Sequence, residues 1–461
     1  MTAKAFLVTL AAGMLAGCAT ADTEMTMTAP EAQSRPNIIV IMADDLGYGD
    51  LSSYGAELIK TPNIDRLATE GVKMTSFYAG AAVCTPSRAA LMTGRYPIRT
   101  GAQHVFRAQF DDGMEPGEVT LAEMLGEAGY ATGMVGKWHL GHQLEHWPTN
   151  QGFDDFYGVA YSNDMFPFDL FDGTKRIESP VDQTTLTARY ADAAVDFIEQ
   201  NADEPFFLYY AESFPHIPLF HPPANAGRSE AGTYGDVVET IDDAVGDILD
   251  TLERLEIEDN TLIFFTSDNG PWFEGSSGDL RDRKGGTYLG GFQVPMLVRW
   301  PDRLPAGSET SEMAMSIDLL PTIAAATGAT APTDRTIDGR DILPVLEAGA
   351  ATPHDVLFFF DGNDIVAARS ADYRLVVKAF YRNYPVEFRN NPYLKWLEPL
   401  LFDMKIDPAE RYSMASRNPE VVAELLEKIT EMTEATAELH RDPNPMMPPP
   451  GALHGPQFGD E

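Results

Sequence analysis

Three stretches of this chain are apolar without a break, and each stops at polar residues. Residues 37–43 read Asn-Ile-Ile-Val-Ile-Met-Ala and run straight into Asp44-Asp45. Residues 205–211, Pro-Phe-Phe-Leu-Tyr-Tyr-Ala, lead into Ser213-Phe214-Pro215-His216. Residues 261–266, Thr-Leu-Ile-Phe-Phe-Thr, end in Ser267-Asp268-Asn269-Gly270. Short continuous apolar runs mark strands buried on both faces, whereas a half-exposed strand alternates. A further extended segment, 132–137, ends in Lys137-Trp138-His139. A period of two puts Lys137 and His139 on one face of it and Trp138 on the other. Helical patterns lie between these strands, notably at 185–201 and 234–255, and the acids of the latter read as a solvated face. Strands alternating with helices specify an α/β fold with a mostly parallel sheet sandwiched by helices.

That fold class gives the strand ends a meaning. In open α/β sheets ligands bind beyond the carboxyl ends of the strands, so clusters far apart in sequence are expected to converge. The converged set holds Asp44, Asp45, Asp268 and Asn269, with Arg88, Lys137, His139, His216 and Lys284 around them. His221 lies close to His216, and spacing alone does not choose between them. Adjacent carboxylates at the end of a buried strand are costly unless something neutralises them. A hard divalent cation does so through oxygen ligands. Acids on a metal, ringed by cations, suit a tetrahedral oxyanion, with sulfate and phosphate both open at this point.

Charge narrows the partners. The 461 residues carry a formal net charge of −37, from 70 acidic and 33 basic side chains. This excludes nucleic acid, whose phosphates require clustered Lys and Arg, and a polybasic membrane anchor. An anion site in such a chain has to be a local basic island. The two cysteines, Cys18 and Cys84, occupy incompatible kinds of position, so no disulfide is expected. Residues 5–15 form an apolar run behind Lys4, too short to cross a bilayer, which reads as a signal-peptide core. It ends in Leu15-Ala16-Gly17-Cys18, which resembles a bacterial lipoprotein cleavage box. The expectation is a signal peptide over 1–17, a lipid anchor at Cys18 and a polar tether over 18–35. The protein is then exported, periplasmic or held at the outer membrane through that lipid alone.

Beyond about residue 350 the pattern changes. Short strands at 356–360, 365–369 and 373–377 have hairpin spacing, and 400–403 adds another before a helix at 419–438. The expected layout is a catalytic domain over 36–345, a smaller α+β domain with an antiparallel sheet over 346–440, and a proline-rich tail over 441–461.

Cys84 lies in Ala82-Val83-Cys84-Thr85-Pro86-Ser87-Arg88, followed by an apolar helical run to Thr93-Gly94-Arg95. Pro86 fits a first helical position, so Cys84 is expected just before a helix N-terminus, a place that suits an anion or a thiolate. Cys-x-Pro-Ser-Arg with Thr-Gly-Arg behind it, and the run Gly136-Lys137-Trp138-His139-Leu140-Gly141, resemble two motifs of the sulfatase family. Residues 148–154, 161–164 and 401–410 extend the resemblance, which is of arylsulfatase A and N-acetylgalactosamine-6-sulfatase type and covers 36–414. It implies an alkaline-phosphatase-like fold and a sulfuric ester hydrolase whose Cys84 a maturation enzyme oxidises to formylglycine. It implies one calcium ion on Asp44, Asp45, Asp268, Asn269 and the matured residue 84. Arg88 would orient the formylglycine hydrate, and Lys137 and Lys284 would hold sulfate oxygens. His216 would give a proton to the leaving oxygen, and His139 would act in regenerating the aldehyde. Sulfated carbohydrates or aryl sulfates are the implied substrates. Two other readings are a phosphodiesterase or phosphonate hydrolase of the same superfamily, and an inactive sulfated-glycan-binding lipoprotein with Cys84 left as a thiol. The family commonly has Lys-x-x-x-x-Glu-Gly-Gly, where this chain has Lys284 but Leu289 before Gly290-Gly291. That departure puts the hydrogen bonding of the Lys284 loop in question.

Overall fold

The computed structural model describes residues 1–2, 35–380, 393–394 and 399–441. Cys18, its leader and tether up to residue 34, and residues 442–461 lie outside the described residues. The chain divides into Met1–Ser34 and a compact unit, Arg35–Glu461, to which everything below refers. Among the described residues no helix is long and apolar enough to cross a membrane.

The apolar runs form the middle of a ten-stranded sheet. Its strands are β1 (Asn37–Ala43), β2 (Val72–Met74), β4 (Ala131–Lys137), β5 (Asp155–Val159), β6 (Leu170–Asp172), β7 (Lys175–Glu178), β8 (Phe206–Ala211), β9 (Thr261–Ser267), β10 (Met296–Arg299) and β11 (Ser308–Thr310). A short strand β3 (Phe77–Tyr78) pairs elsewhere, with Ala314–Met315. The order is β11-β2-β10-β9-β1-β8-β4-β5-β6-β7. From β9 through β5 every pairing is parallel; outside them β9-β10, β10-β2, β5-β6 and β6-β7 pair antiparallel, and the edge strand β11 pairs parallel with β2. All seven residues of β1 are buried, and they alternate between two cores. Ile38, Val40 and Met42 face one, and Ile39, Ile41 and Ala43 the other. Each such buried aliphatic side chain contributes about 1.5–3 kcal/mol, which is why these runs occupy the centre.

The helices α1 (Pro62–Thr69), α4 (Leu186–Gln200) and α5 (Gly232–Arg254) cover one face. The other is covered by α2 (Cys84–Thr93), α3 (Leu121–Glu127) and the helix Leu319–Thr327. Local chemistry sets the ends. Thr120 and Glu123 close a capping box on α3, which starts it at Leu121. Thr61 precedes α1 without capping it; the Asp242 carboxylate accepts from the N–H groups of Asn63 and Ile64 instead, at 3.2 and 2.8 Å. Asp242 belongs to α5, and its burial corrects the expected solvated face. Asp236, Glu239 and Asp242 are all buried and accept from backbone N–H groups: Asp236 from Gly227 and Ser229, Glu239 from Lys60, and Asp242 from the first turn of α1. Loop and first-turn N–H groups have no partner within their own segment, and an acid on a packed helix supplies one.

The four strands Leu357–Asp361, Asp364–Arg369, Tyr373–Val376 and Leu400–Asp403 form a separate antiparallel sheet in that order. The helix Pro419–Thr436 packs Leu425 and Ile429 on it. The same core takes Tyr288, Leu289 and Phe292, so the small sheet backs the loop that carries Lys284.

Candidate active site

Register brings the polar clusters together. Met42 pairs with Ala211, Ala211 with Gly136, and Ala43 with Ser267. The residues after β1, β4, β8 and β9 therefore emerge side by side at one edge. Gly136 is required there: at φ 105° a Cβ would come 1.9 Å from the Ala211 carbonyl oxygen. Asp45 (φ 66°) and His139 (φ 62°) hold the left-handed conformation without being glycine. Such backbone costs about 1–3 kcal/mol each and persists where surrounding structure fixes it.

Asp44, Asp45, Cys84 and Asp268 each offer an atom within 4.8 Å of the others. Asp268 Oδ1 accepts from the Asp45 N–H at 3.1 Å, and Asn269 Nδ2 donates to Asp45 Oδ1 at 2.7 Å. Asn269 Oδ1 is buried with no hydrogen-bond partner. Lys137 Nζ donates to Asp44 Oδ2 at 2.5 Å, and Lys284 Nζ to Asp45 Oδ2 at 2.7 Å. The Arg88 guanidinium donates through Nε to Asp268 Oδ2 at 3.0 Å and through Nη1 to the Lys137 carbonyl at 3.0 Å. Burial pushes the Asp44 carboxyl up, but Lys137, His216 and Arg88 outweigh it and hold the group at about 2. Burial and the neighbouring Asp44 raise Asp268 despite Arg88. Burial works against the Lys284 charge, and Asp45 more than restores it.

Cys84 is a free thiol and the first residue of α2, not the residue before it; Val83 is the extended N-cap and Pro86 is the third helical residue. Proline is tolerated there because the first-turn N–H groups have no partner inside the helix. Arg88 lies one turn on, so it shares a face with Cys84. Gly94 ends α2 in the left-handed conformation. The thiolate expectation fails: burial pushes the thiol far above its ordinary range, against the pull of Lys137 and Lys284. As a thiol, Cys84 donates to Asp44 Oδ1 at 3.6 Å and is a poor nucleophile.

The two histidines have defined tautomers. His139 Nε2 lies 3.0 Å from the Phe106 carbonyl, so that nitrogen carries the proton. Its Nδ1 is buried without a hydrogen-bond partner. Burial, then Lys137 and Arg88, hold the ring well below its ordinary pKa, hence neutral. His216 Nδ1 donates to the Ile217 carbonyl at 2.6 Å and to Asn163 Oδ1 at 2.9 Å. Its Nε2 is left 3.7 Å from Asp45 Oδ2 and 3.3 Å from Ser162 Oγ. His216 shares a cavity of about 240 Å³ with Cys84, His139 and Lys284. His221 is elsewhere, 3.9 Å from Asp236.

Two groups escaped the sequence reading. The Leu289 N–H donates to Glu410 Oε2 at 2.6 Å, and the Arg374 guanidinium donates to the Thr287 carbonyl at 2.7 Å and pairs with Glu410. Arg281 donates to the Glu410 carbonyl at 3.0 Å. Glu410 and Arg374, both 0% exposed, thus clamp the loop that bears Lys284. An acid does reach position 289, but from 121 residues away in the chain. The only sequence signal was Glu410's place in 401–410. The cavity mouth also takes Arg107, Asp164 and Trp272, which lie in loops without periodicity.

Comparison with known proteins agrees with this geometry. The family model Sulfatase matches residues 36–329, and N-sulphoglucosamine sulphohydrolase, C-terminal, matches 283–435. Arylsulfatase A of Bos taurus is 38% identical over 445 residues, covering 87% of this chain and 87% of its own. N-acetylgalactosamine-6-sulfatase of Sus scrofa is 35% identical, covering 87% and 85%. The solved structure of Ps i-CgsB in complex with k-i-k-neocarrahexaose superposes with a TM-score of 0.77 at 29% identity, covering 87% and 93%.

Proposed function

Since the chain belongs to the sulfatase family, hydrolases of sulfate esters, we propose that it cleaves sulfate esters of carbohydrates through a formylglycine made from Cys84, with a bound calcium ion. One observation carries this reading: Cys84, three carboxylates, two lysines and two histidines of complementary hydrogen bonding meet in and beneath one cavity. The carbohydrate class draws on the saccharide complex of the structural relative.

The donor set fits a hard cation. Asp44, Asp45, Asp268 and Asn269 offer only oxygen, and the orphaned Asn269 Oδ1 is a ligand atom in need of a partner. Bound there, calcium supplies positive charge beside the ester. Formylglycine at position 84, produced by a maturation enzyme, supplies in its hydrate the hydroxyl that attacks sulfur. A buried thiol held un-ionised has no such hydroxyl, which is why conversion is part of the proposal.

The chain's own side chains do the rest. Net hydrolysis consumes water and gives an alcohol and hydrogen sulfate, so the departing oxygen needs a proton. His216, anchored through Nδ1–H, presents Nε2 as the site from which that proton is delivered. His139 keeps Nδ1 as an unprotonated acceptor, able to take a proton from residue 84 when sulfate leaves. Lys137 and Lys284, fixed on Asp44 and Asp45, aim ammonium groups at the place where sulfate oxygens lie. Arg88 holds Asp268 and the end of β4 in register.

Four measurements test the reading. The peptide containing residue 84, from protein made in its native host, should show the aldehyde by mass; an unaltered thiol would sink the mechanism. Turnover of p-nitrophenyl sulfate should exceed that of p-nitrophenyl phosphate, and the reverse order would favour the phosphoester reading. Calcium chelation should abolish turnover, while Cys84→Ala should remove it and keep the fold by circular dichroism.

A further inference from the structure

We propose that the cavity mouth is a subsite for a second negative group on the substrate, with Arg107 as its partner. The substrate is then a sulfate ester bearing a further sulfate or carboxylate, as in polyanionic saccharides. The inference rests on the sulfatase reading.

Arg107 lines the same cavity as Cys84, His216 and Lys284 and is exposed. Its guanidinium makes no hydrogen bond or ion pair with any described residue. In a chain with 70 acidic and 33 basic side chains, arginines find carboxylates readily. Arg88 holds Asp268, Arg99 holds Asp338 and Arg228 holds Glu239 and Asp243. A free guanidinium at the mouth of an anion site departs from that pattern. Nor is Arg107 a loose loop residue. The adjacent Phe106 donates its N–H to Thr85 Oγ1 at 3.2 Å and accepts from His139 Nε2 at 3.0 Å. The backbone next to residue 107 is thus held between the start of α2 and His139, and Arg107 stands exposed at the cavity.

The remaining mouth chemistry fits a sugar between two charges. Trp272 lines the cavity and stands edge-on to Phe273, with ring centroids 4.9 Å apart. Its carbonyl accepts from Arg283 at 3.1 Å. Such a ring takes the C–H face of a pyranose. Asp164 lines the mouth without an ion pair to Arg107, which leaves its carboxylate to accept from hydroxyls. The planar fork of Arg107 matches sulfate or carboxylate in two parallel hydrogen bonds.

The test is competition against p-nitrophenyl sulfate turnover by saccharide pairs differing in one charge. One pair is κ- and ι-neocarrabiose, with one and two sulfates. The other is the chondroitin 6-sulfate disaccharide and its carboxyl-reduced form. For wild type, the more charged member of at least one pair should inhibit about tenfold more tightly, and the pair that shows it names the second anion. In Arg107→Gln that ratio should fall to near one, and in Arg107→Lys it should fall part way, because lysine keeps the charge but not the fork. The preference should shrink as salt rises, since the guanidinium is exposed. Ratios near one for both wild-type pairs, or a ratio unmoved in Arg107→Gln, would overturn the proposal. Absence of any sulfate ester turnover would instead overturn the sulfatase reading, and calorimetric binding of the same pairs would still decide the role of Arg107.

Discussion

At the scale of the residue, His139 and Glu410 show how differently side chains declare themselves. His139 follows a strand and shares a face with Lys137, so its place in the site is legible from spacing. Its proton state is not, because that depends on the Phe106 carbonyl and on Lys137 and Arg88 nearby. With Nε2 holding the proton and Nδ1 free to accept one, His139→Ala should lower kcat about a hundredfold or more and leave KM little changed. A KM effect without a kcat effect would assign the ring to binding. Glu410 gives no local sign of its task, since its partners Leu289 and Arg374 lie far off in sequence. Burial raises its pKa despite Arg374, so the pair is held at a cost. Glu410→Gln, which leaves Arg374 buried without its counter-charge, should lose about 3–5 kcal/mol in denaturant unfolding. It should also lower kcat by loosening the Lys284 loop. Replacing both partners, Glu410→Gln with Arg374→Met, should recover much of the stability but not the activity, a split that separates folding from loop positioning.

At the scale of the element, the strand ends were legible and the helix faces were not. An apolar run that halts at a carboxylate states both that it is buried and where it stops. A helix states only its period, and α5 shows the limit: its acids fit a solvated face by spacing, yet three of them are buried on backbone N–H groups of other segments. Which loop lies opposite is decided by tertiary packing. Glu212, one residue beyond β8, is another case. It accepts from Tyr210 at 3.0 Å, Thr187 at 3.2 Å and its neighbour's N–H at 3.0 Å, and burial pushes it up to about 7. A carboxyl raised in the fold contributes stability that is complete below its unfolded value, near 4.5, and is lost as pH rises through about 7. The loss amounts to about 3 kcal/mol. Unfolding measured at pH 5 and pH 8 should therefore show Glu212→Gln gaining on wild type at the higher pH. A constant difference would mean that Glu212 does not titrate in this window.

At the scale of the whole molecule, the net charge of −37 and the site obey separate rules. The expected basic island is in fact a balanced one: Asp44, Asp45 and Asp268 face Arg88, Lys137 and Lys284. A divalent cation added to that set would leave it positive within a strongly negative body. The body itself repels itself, so the thermal midpoint should rise between ~10 mM and ~0.5 M NaCl as screening shortens. A midpoint that falls with salt would show that ion pairs outweigh the repulsion. The depth of Cys84 sets an order of events in the life of the chain. The residue is 3% exposed and begins a helix in which every side chain is buried. An enzyme that must grip the peptide around Cys84 finds no grip once α2 has docked. Chemistry at this position is then open to the nascent or unfolded chain and closed to the finished one. Purified, folded, unaltered protein should stay inert when given the maturation enzyme, whereas protein refolded in its presence should gain turnover. On the proposed mechanism, the fold that assembles the site would also be the deadline for converting Cys84.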